Sequence, residues 1–199
     1  MSNPIVAGLT RLAQFEGRDS SGRFWPYASL VLALAFVVMC APFVIELNKT
    51  FQAINSFAAE HPELTTVHRG PGQVSIQIEG SHPELTPDFA YLVNTIGRVA
   101  AGAVALLAAA VARRLHDTGR SGLWGLIPLP FLAFGIFGLA ALIDRFMTDG
   151  PIMPLFAGLM LNNMVYLLSL AGLVWMLGSA GTPGSNRFGP APAEAPMGA

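Results

Sequence analysis

Apolar residues run along this chain in four long blocks separated by short polar breaks, and each block is long enough to cross a membrane. A spanning helix needs about 20 mostly apolar residues. The first block covers residues 24–47 and carries no charge before Glu46. The second covers 89–112 and is interrupted by Asn94 and Arg98. The third covers 123–143 and the fourth 152–177, the last containing Asn162 and Asn163. The breaks predict a polar N-terminal segment (1–23), a long loop (48–88), a turn at 113–122, a second turn at 144–151 and a tail at 178–199. The Pro/Ala/Gly-rich end of that tail predicts partial disorder. The expected fold is an all-α integral membrane protein, a bundle of four transmembrane helices with a long extracytoplasmic loop between helices 1 and 2.

Composition supports this reading. Hydrophobic residues make up 53% of the chain and charged residues 12%, against roughly 25% charge in soluble domains. The first block is longer than the 7–15 apolar residues of a signal peptide and starts late, which favours an uncleaved helix. Cys40 is the lone cysteine, so no intramolecular disulfide can form. A lipoprotein reading of Cys40 meets Met39 where a small residue should stand.

Orientation follows from the cations. Arg11, Arg18, Arg23, Arg113, Arg114, Arg120 and Arg187 flank the spans on one side; Lys49, Arg69 and Arg145 lie on the other. Seven against three predicts both termini in the cytoplasm, with the chain in a bacterial plasma membrane. Trp25, Trp124 and Trp175 fall at the same expected interface, where an amphipathic indole is favoured.

The long loop holds the alternation Val74, Ile76, Ile78 against Ser75, Gln77, Glu79, a period-2 pattern that predicts a short strand. His-Pro-Glu-Leu-Thr occurs at 61–65 and again at 82–86, flanking that strand. These features predict a small strand-bearing cap on the helix ends. His61, His68 and His82 with Glu63 and Glu84 match no standard zinc spacing, so a solvated loop is preferred and neither metal nor cofactor is expected.

Three polar clusters gather on the expected cytoplasmic side. The first contains Arg18, Asp19 and Arg23 ahead of Phe24-Trp25. The second is Arg113-Arg114-Leu115-His116-Asp117-Thr118-Gly119-Arg120-Ser121-Gly122-Leu123-Trp124. The third is Gly181-Thr182-Pro183-Gly184-Ser185-Asn186-Arg187-Phe188-Gly189-Pro190. At these residues the chain resembles a bacterial inner-membrane family catalogued as domain of unknown function 805. The resemblance lies in the N-terminal Gly-Arg and Arg-x-Phe-Trp element, the Arg-Arg-Leu-His-Asp turn and the Asn-Arg-Phe-Gly-Pro tail, and the three bracket nearly the whole chain. The long loop departs from it by being longer than is usual. The resemblance implies a small plasma-membrane protein and transfers no activity.

The middle cluster has a structural reading. Gly119 can take the left-handed conformation that ends a helix, and Ser121 can cap the next one. The functional reading is that Arg18, Arg23, Arg113, Arg114, His116, Asp117, Arg120, Asn186 and Arg187 converge into one cytoplasmic site. Arginine's planar fork suits phosphate and the inner leaflet is anionic, so lipid head groups or a phosphorylated ligand are the expected guests, with a protein partner as the alternative. Treating His116 and Asp117 as an acid/base pair has little support: adjacent helical residues diverge and no catalytic motif matches. The sequence leans against an enzyme. Nucleic-acid binding is not expected, because the cations are few and tied to the membrane.

Arg98 within the second block is costly unless paired or functional. Asn94, Arg98, Asn162 and Asn163 are candidates for an intramembrane polar network. Gly97, Ala101, Ala105 and Ala109 give the same block a small-residue face for close helix packing. Pro128 and Pro130 predict an early bend in the third block. The leading expectation is a non-enzymatic interaction or scaffold protein; a homo-oligomer is expected under the transporter alternative, because four helices alone leave little room for a pore. The alternative is a small transporter or channel component using Arg98 and the polar residues of the fourth span.

Overall fold

The computed structural model describes residues 3–148 and 150–192. The expected disorder at the extreme end of the tail falls on 193–199, outside the described residues. The chain is mostly helical, and four of its helices are long and apolar enough to cross a membrane.

The N-terminal segment is not simply polar. Helix α1 (Pro4–Thr10) starts on an Asn3 side chain that accepts from the Ile5 N–H, with Pro4 in the first turn. Proline there costs no hydrogen bond, because the first amides of a helix have no internal partner. Gly8 of α1 lies against the ring of Tyr27, where a side chain would clash.

Helix α2 (Ser21–Glu60) is 40 residues long. At 1.5 Å per residue it reaches about 60 Å, twice the hydrocarbon thickness of a membrane. The apolar block stops at 47, but the helix does not. Residues 48–60 contain neither Gly nor Pro, and Phe51, Ile54 and Phe57 recur at helical spacing. Side chains reinforce the extension: Lys49 reaches Glu46 at 2.6 Å, and Asn48 and Asn55 donate to carbonyls four residues back. The loop between the first two spans therefore begins near His61, not at 48.

That loop is an antiparallel hairpin, β1 (Thr65–Gly70) with β2 (Gln73–Ile78), in the register Thr65↔Ile78 to Gly70↔Gln73. Pro71-Gly72 makes the connection, with Gly72 at φ +74°, the positive φ that glycine tolerates. β2 is the expected strand; β1 is new. Each His-Pro-Glu-Leu-Thr copy makes the same structure, a 3₁₀ turn (Pro62–Leu64 and Pro83–Leu85) entered through its histidine. His61 bonds Glu63 at 3.2 Å and His82 bonds Glu84 at 3.0 Å. Both imidazoles pack on Phe57, at 4.6 and 4.5 Å between centroids. Each copy of the pentapeptide thus packs its histidine on the end of α2.

Helix α3 (Phe89–Asp117) starts on Asp88, whose carboxylate accepts from the Tyr91 N–H. It ends in a Schellman motif: Arg120 N–H bonds Leu115 O, Gly119 N–H bonds His116 O, and Gly119 sits at φ +76°. A 3₁₀ segment (Gly122–Leu126) follows, with Ser121 Oγ accepting from Leu123 N–H at 3.3 Å. Helix α4 (Leu129–Met147) begins after Pro128, with Ile127 and Pro128 keeping right-handed helical backbone angles between it and the 3₁₀ segment. Helix α5 (Met153–Gly178) completes the set.

α3 lies against α2 along its length and also touches α4 and α5, while α4 packs mainly on α5. The buried core is concentrated at one end. It joins Phe24, Tyr27, Ala28 and Val31 of α2 to Ala110 and Leu115 of α3 and to Leu173 and Leu177 of α5. Tyr27 adds a polar tie, its hydroxyl donating to the Leu106 carbonyl at 2.9 Å.

Candidate functional site

At the core-rich end the start of α2, the end of α3 and the end of α5 meet, and the three sequence clusters meet with them. Helix geometry explains why arginine gathers here. α3 and α5 both end at this place, and the last carbonyls of a helix lack internal donors. Cations are favoured near that partial negative charge.

Asp117 is the hub. One carboxylate oxygen accepts from Arg18 at 3.0 Å and the other from Arg114 at 2.5 Å. Arg18 also donates to the carbonyls of Thr182 and Gly184, both at 2.6 Å, so it stitches the tail onto the end of α3. Arg114 donates to Leu177 O at 2.8 Å and Ser179 O at 2.5 Å, which ties α3 to the end of α5. The Thr182 N–H and hydroxyl return to Asp117 O at 2.8 and 3.1 Å. Gly181 lies so close to the Asp117 carboxylate that any side chain would overlap it.

Asp19 is a second hub. It accepts from Arg113 at 2.6 Å and from Arg11 at 3.0 Å. Arg113 also donates to the carbonyls of Arg11 and Gln14, fixing the segment between α1 and α2. Arg113 and Arg114 are each 1% exposed, Asp117 3%, Asp19 5% and Arg18 6%. Burying charge is expensive unless the group is paired and hydrogen-bonded. Here both aspartates are bridged by two guanidinium groups, and the surplus positive charge is met by backbone carbonyls.

The remaining residues form a rim. His116 stacks on Phe188 at 3.9 Å and 7°, its Nδ1 lying 3.2 Å from Gly17 O. His116 and Asp117 therefore face different neighbours and make no acid/base pair. Asn186 donates to His116 O and to Thr182 Oγ1 at 2.9 and 2.8 Å, holding the Asn186–Gly189 turn. Arg187 reaches Gly119 O at 3.3 Å and lies over the Phe188 ring at 4.6 Å. Arg120 lies over the exposed indole of Trp175 at 5.6 Å. Arg23 is half-buried near the start of α2.

Sequence reading named nine residues for this end and missed Arg11, Asp19 and Thr182. Asp19 adjoins Arg18 in the first cluster, which was the available signal. Thr182 and Gly181 lay within the third cluster, but their contact with Asp117, 65 positions from Thr182, was not legible from it.

The second expected group does not assemble. Asn94 and Arg98 are exposed on α3. Asn162, on α5, donates to Phe131 O of α4 at 3.0 Å, and Asn163 is exposed. No hydrogen bond joins the four among the described residues. The polar positions of α3 and α5 lie on different helix pairs, so the expected network is replaced by one local bond and three separate groups. No cluster of three or more metal-type ligands occurs among the described residues.

Fold and site together define a mostly helical protein with four potential membrane spans, fastened at one end by an arginine–aspartate clasp. Within that class the chain belongs to the family described as protein of unknown function (DUF805), whose model it matches over residues 12–190. The matched range contains both aspartate hubs and the tail turn. No curated protein and no solved structure matches the chain.

Proposed function

We propose that this is a non-enzymatic bacterial inner-membrane interaction or scaffold protein whose clasp end faces the cytoplasm and receives anionic lipid head groups on a cationic rim. The observation that carries the reading is a division of labour among the arginines. Arg18, Arg113 and Arg114 are buried and bonded to carboxylates and carbonyls, so they tie the segment before α2, the end of α3, the end of α5 and the tail to one another. Arg23, Arg120 and Arg187 surround that closure with exposed or half-exposed guanidinium groups. Trp25, Trp124 and Trp175 lie at the same end, and Arg120 over Trp175 makes an indole–guanidinium pair of the kind suited to a membrane interface. Basic residues beside an anionic leaflet contribute about 1 kcal/mol each.

This reading is preferred to a transporter because Asn94, Arg98, Asn162 and Asn163 do not converge on a path. The test is native mass spectrometry of protein released gently from its own membranes, comparing wild type with an Arg23→Gln, Arg120→Gln, Arg187→Gln form. The wild type is expected to retain anionic lipid that the variant loses. Equal retention by both would overturn the rim as a lipid site and direct attention to a protein partner, sought by crosslinking in cells.

A further inference from the structure

Away from the clasp, α3 and α4 pack on each other and line an open groove of about 450 Å³. Small side chains make the space: Gly97, Ala101 and Val104 on α3 face Leu132, Ile136 and Phe137 on α4. The lining is apolar except for Asn94 and Arg98. A second cavity, of about 560 Å³, shares Ala100, Val104, Leu129 and Leu132 with the first and continues toward the clasp as far as His116 and Ser121. The two cavities border the same stretch of α3 and α4, and Arg98 lies on the first, which is apolar from there to Val104 and Leu129.

Arg98 is the odd member. It is exposed, and every ion pair among the described residues is made by other groups. An unpaired charge inside a span is costly, and such residues pair with something or reach the interface. Its height on the helix says which end it reaches. Fifteen residues separate Arg98 from Arg113 of the clasp, or about 22 Å of helix. A hydrocarbon core about 30 Å thick, measured from the clasp, would leave Arg98 about 8 Å short of the opposite head groups. A long arginine side chain and a lipid phosphate can close that gap between them.

We propose that the α3–α4 groove binds one anionic phospholipid of the leaflet opposite the clasp, its phosphate on Arg98 and an acyl chain along Ala101 and Val104 toward the clasp. The shape of the site selects an amphiphile over a free anion, because a charge stands at one end and an apolar path runs away from it. The volume suits a ligand of this size; pockets of about 300–1,000 Å³ are typical of small-molecule sites. Charge selects an anionic head group, and the guanidinium fork matches a phosphate. This site is separate from the rim at the clasp and does not depend on it.

The test reconstitutes the full chain in phosphatidylcholine vesicles containing a tenth part of a photoactivatable lipid. The probe carries a diazirine in its acyl chain and either a phosphatidylglycerol or a phosphatidylcholine head group. Labelled peptides are then mapped. The expected result is labelling at residues 100–104 and 132–137, stronger for the phosphatidylglycerol probe by about fivefold, the equivalent of one well-placed cation. Arg98→Gln should abolish the preference and Arg98→Lys should keep most of it. Ala101→Leu should displace the label from the groove, which guards against an Arg98 variant that fails to fold. Equal labelling by the two probes, labelling spread evenly around the lipid-facing helices, or a preference that survives Arg98→Gln would overturn the proposal. Labelling confined to 113–124 would do the same and would assign the lipid to the rim.

Discussion

The two ends of this molecule use the same chemistry to opposite effect. At the clasp, carboxylates meet arginines that lie far away in sequence: Arg18 and Asp117 are 99 positions apart, and Arg113 and Asp19 are 94 apart. All four are buried. At the hairpin end the charged pairs are local, His61 with Glu63, His82 with Glu84 and Lys49 with Glu46. There both members of His61–Glu63 are open to solvent, as are Glu84 and Lys49. A buried pair fixes tertiary structure, because removing one member strands the other in a poor solvent. An exposed pair shapes its own turn and contributes little to global stability. The lesson is that a count of ion pairs says nothing here until burial and sequence separation are added.

The largest effect should come from the hub. Asp117→Ala leaves Arg18 and Arg114 buried without a carboxylate, a loss of about 3–5 kcal/mol. Thermal unfolding in detergent should show it, together with new protease cleavage in the tail between residues 181 and 190. A variant with unchanged melting and a protected tail would erase the contrast between the ends.

A middle-sized effect is expected at Tyr27. Tyr27→Phe keeps the packing and removes the hydroxyl bond to Leu106 O, a loss of about 1 kcal/mol. The same melting assay should place it well below Asp117→Ala. Equality of the two would mean that the Asp117 carboxylate contributes no more at this end than one neutral hydrogen bond.

The smallest effect belongs to the hairpin. The Glu84 carboxylate, followed by the Glu79 carbonyl, holds the His82 imidazole above its ordinary pKa. Hydrogen bonding from its own backbone N–H, then from His82, holds Glu84 below the ordinary carboxylate range. The signs are opposite. The His82 contribution is complete below the ordinary imidazole pKa and is lost as pH rises through the raised value. The Glu84 contribution is present above the ordinary carboxylate pKa and is lost as pH falls through the lowered value. The turn is therefore firmest at mildly acidic pH. Glu84→Gln should return the His82 titration toward its ordinary value by NMR and leave global melting almost unmoved. A raised His82 in Glu84→Gln would exclude the carboxylate as its cause.

Sequence alone made the four long apolar helices legible, because each is a long apolar run of membrane-spanning length. The cap at Gly119 and Ser121 was legible too, since glycine just past a helix and serine just before one have local physical reasons. What stayed hidden depends on contact. The extension of α2 to Glu60 was masked because hydropathy falls at Leu47 while helix-forming side chains continue. α1 was masked by its shortness, although Asn3-Pro4 is a good helix start. β1 was masked because Thr65, Thr66 and His68 carry no clean alternation and gain their structure from β2. The nine residues named for this end were chosen because their polar clusters fall on one expected membrane face. That Arg113 and Arg114 are interior ties, while Arg120 and Arg187 stay outside, is set by which helix end each can reach. Arg98 was expected to join Asn94, Asn162 and Asn163, but Asn162 bonds Phe131 O of α4 instead and Arg98 is exposed on α3.

The central claim is that the first and second clusters form one interlocked closure through Arg18 and Asp117. A double-mutant cycle on Arg18→Ala and Asp117→Ala, read by thermal unfolding of the purified full chain, tests it most directly. Distant, independent sites add to within about 0.3–0.5 kcal/mol. The clasp predicts a coupling of about 1–3 kcal/mol, with the double variant much less damaged than the sum of the singles. Additive losses would contradict the closure and leave the two residues as neighbours without mutual dependence.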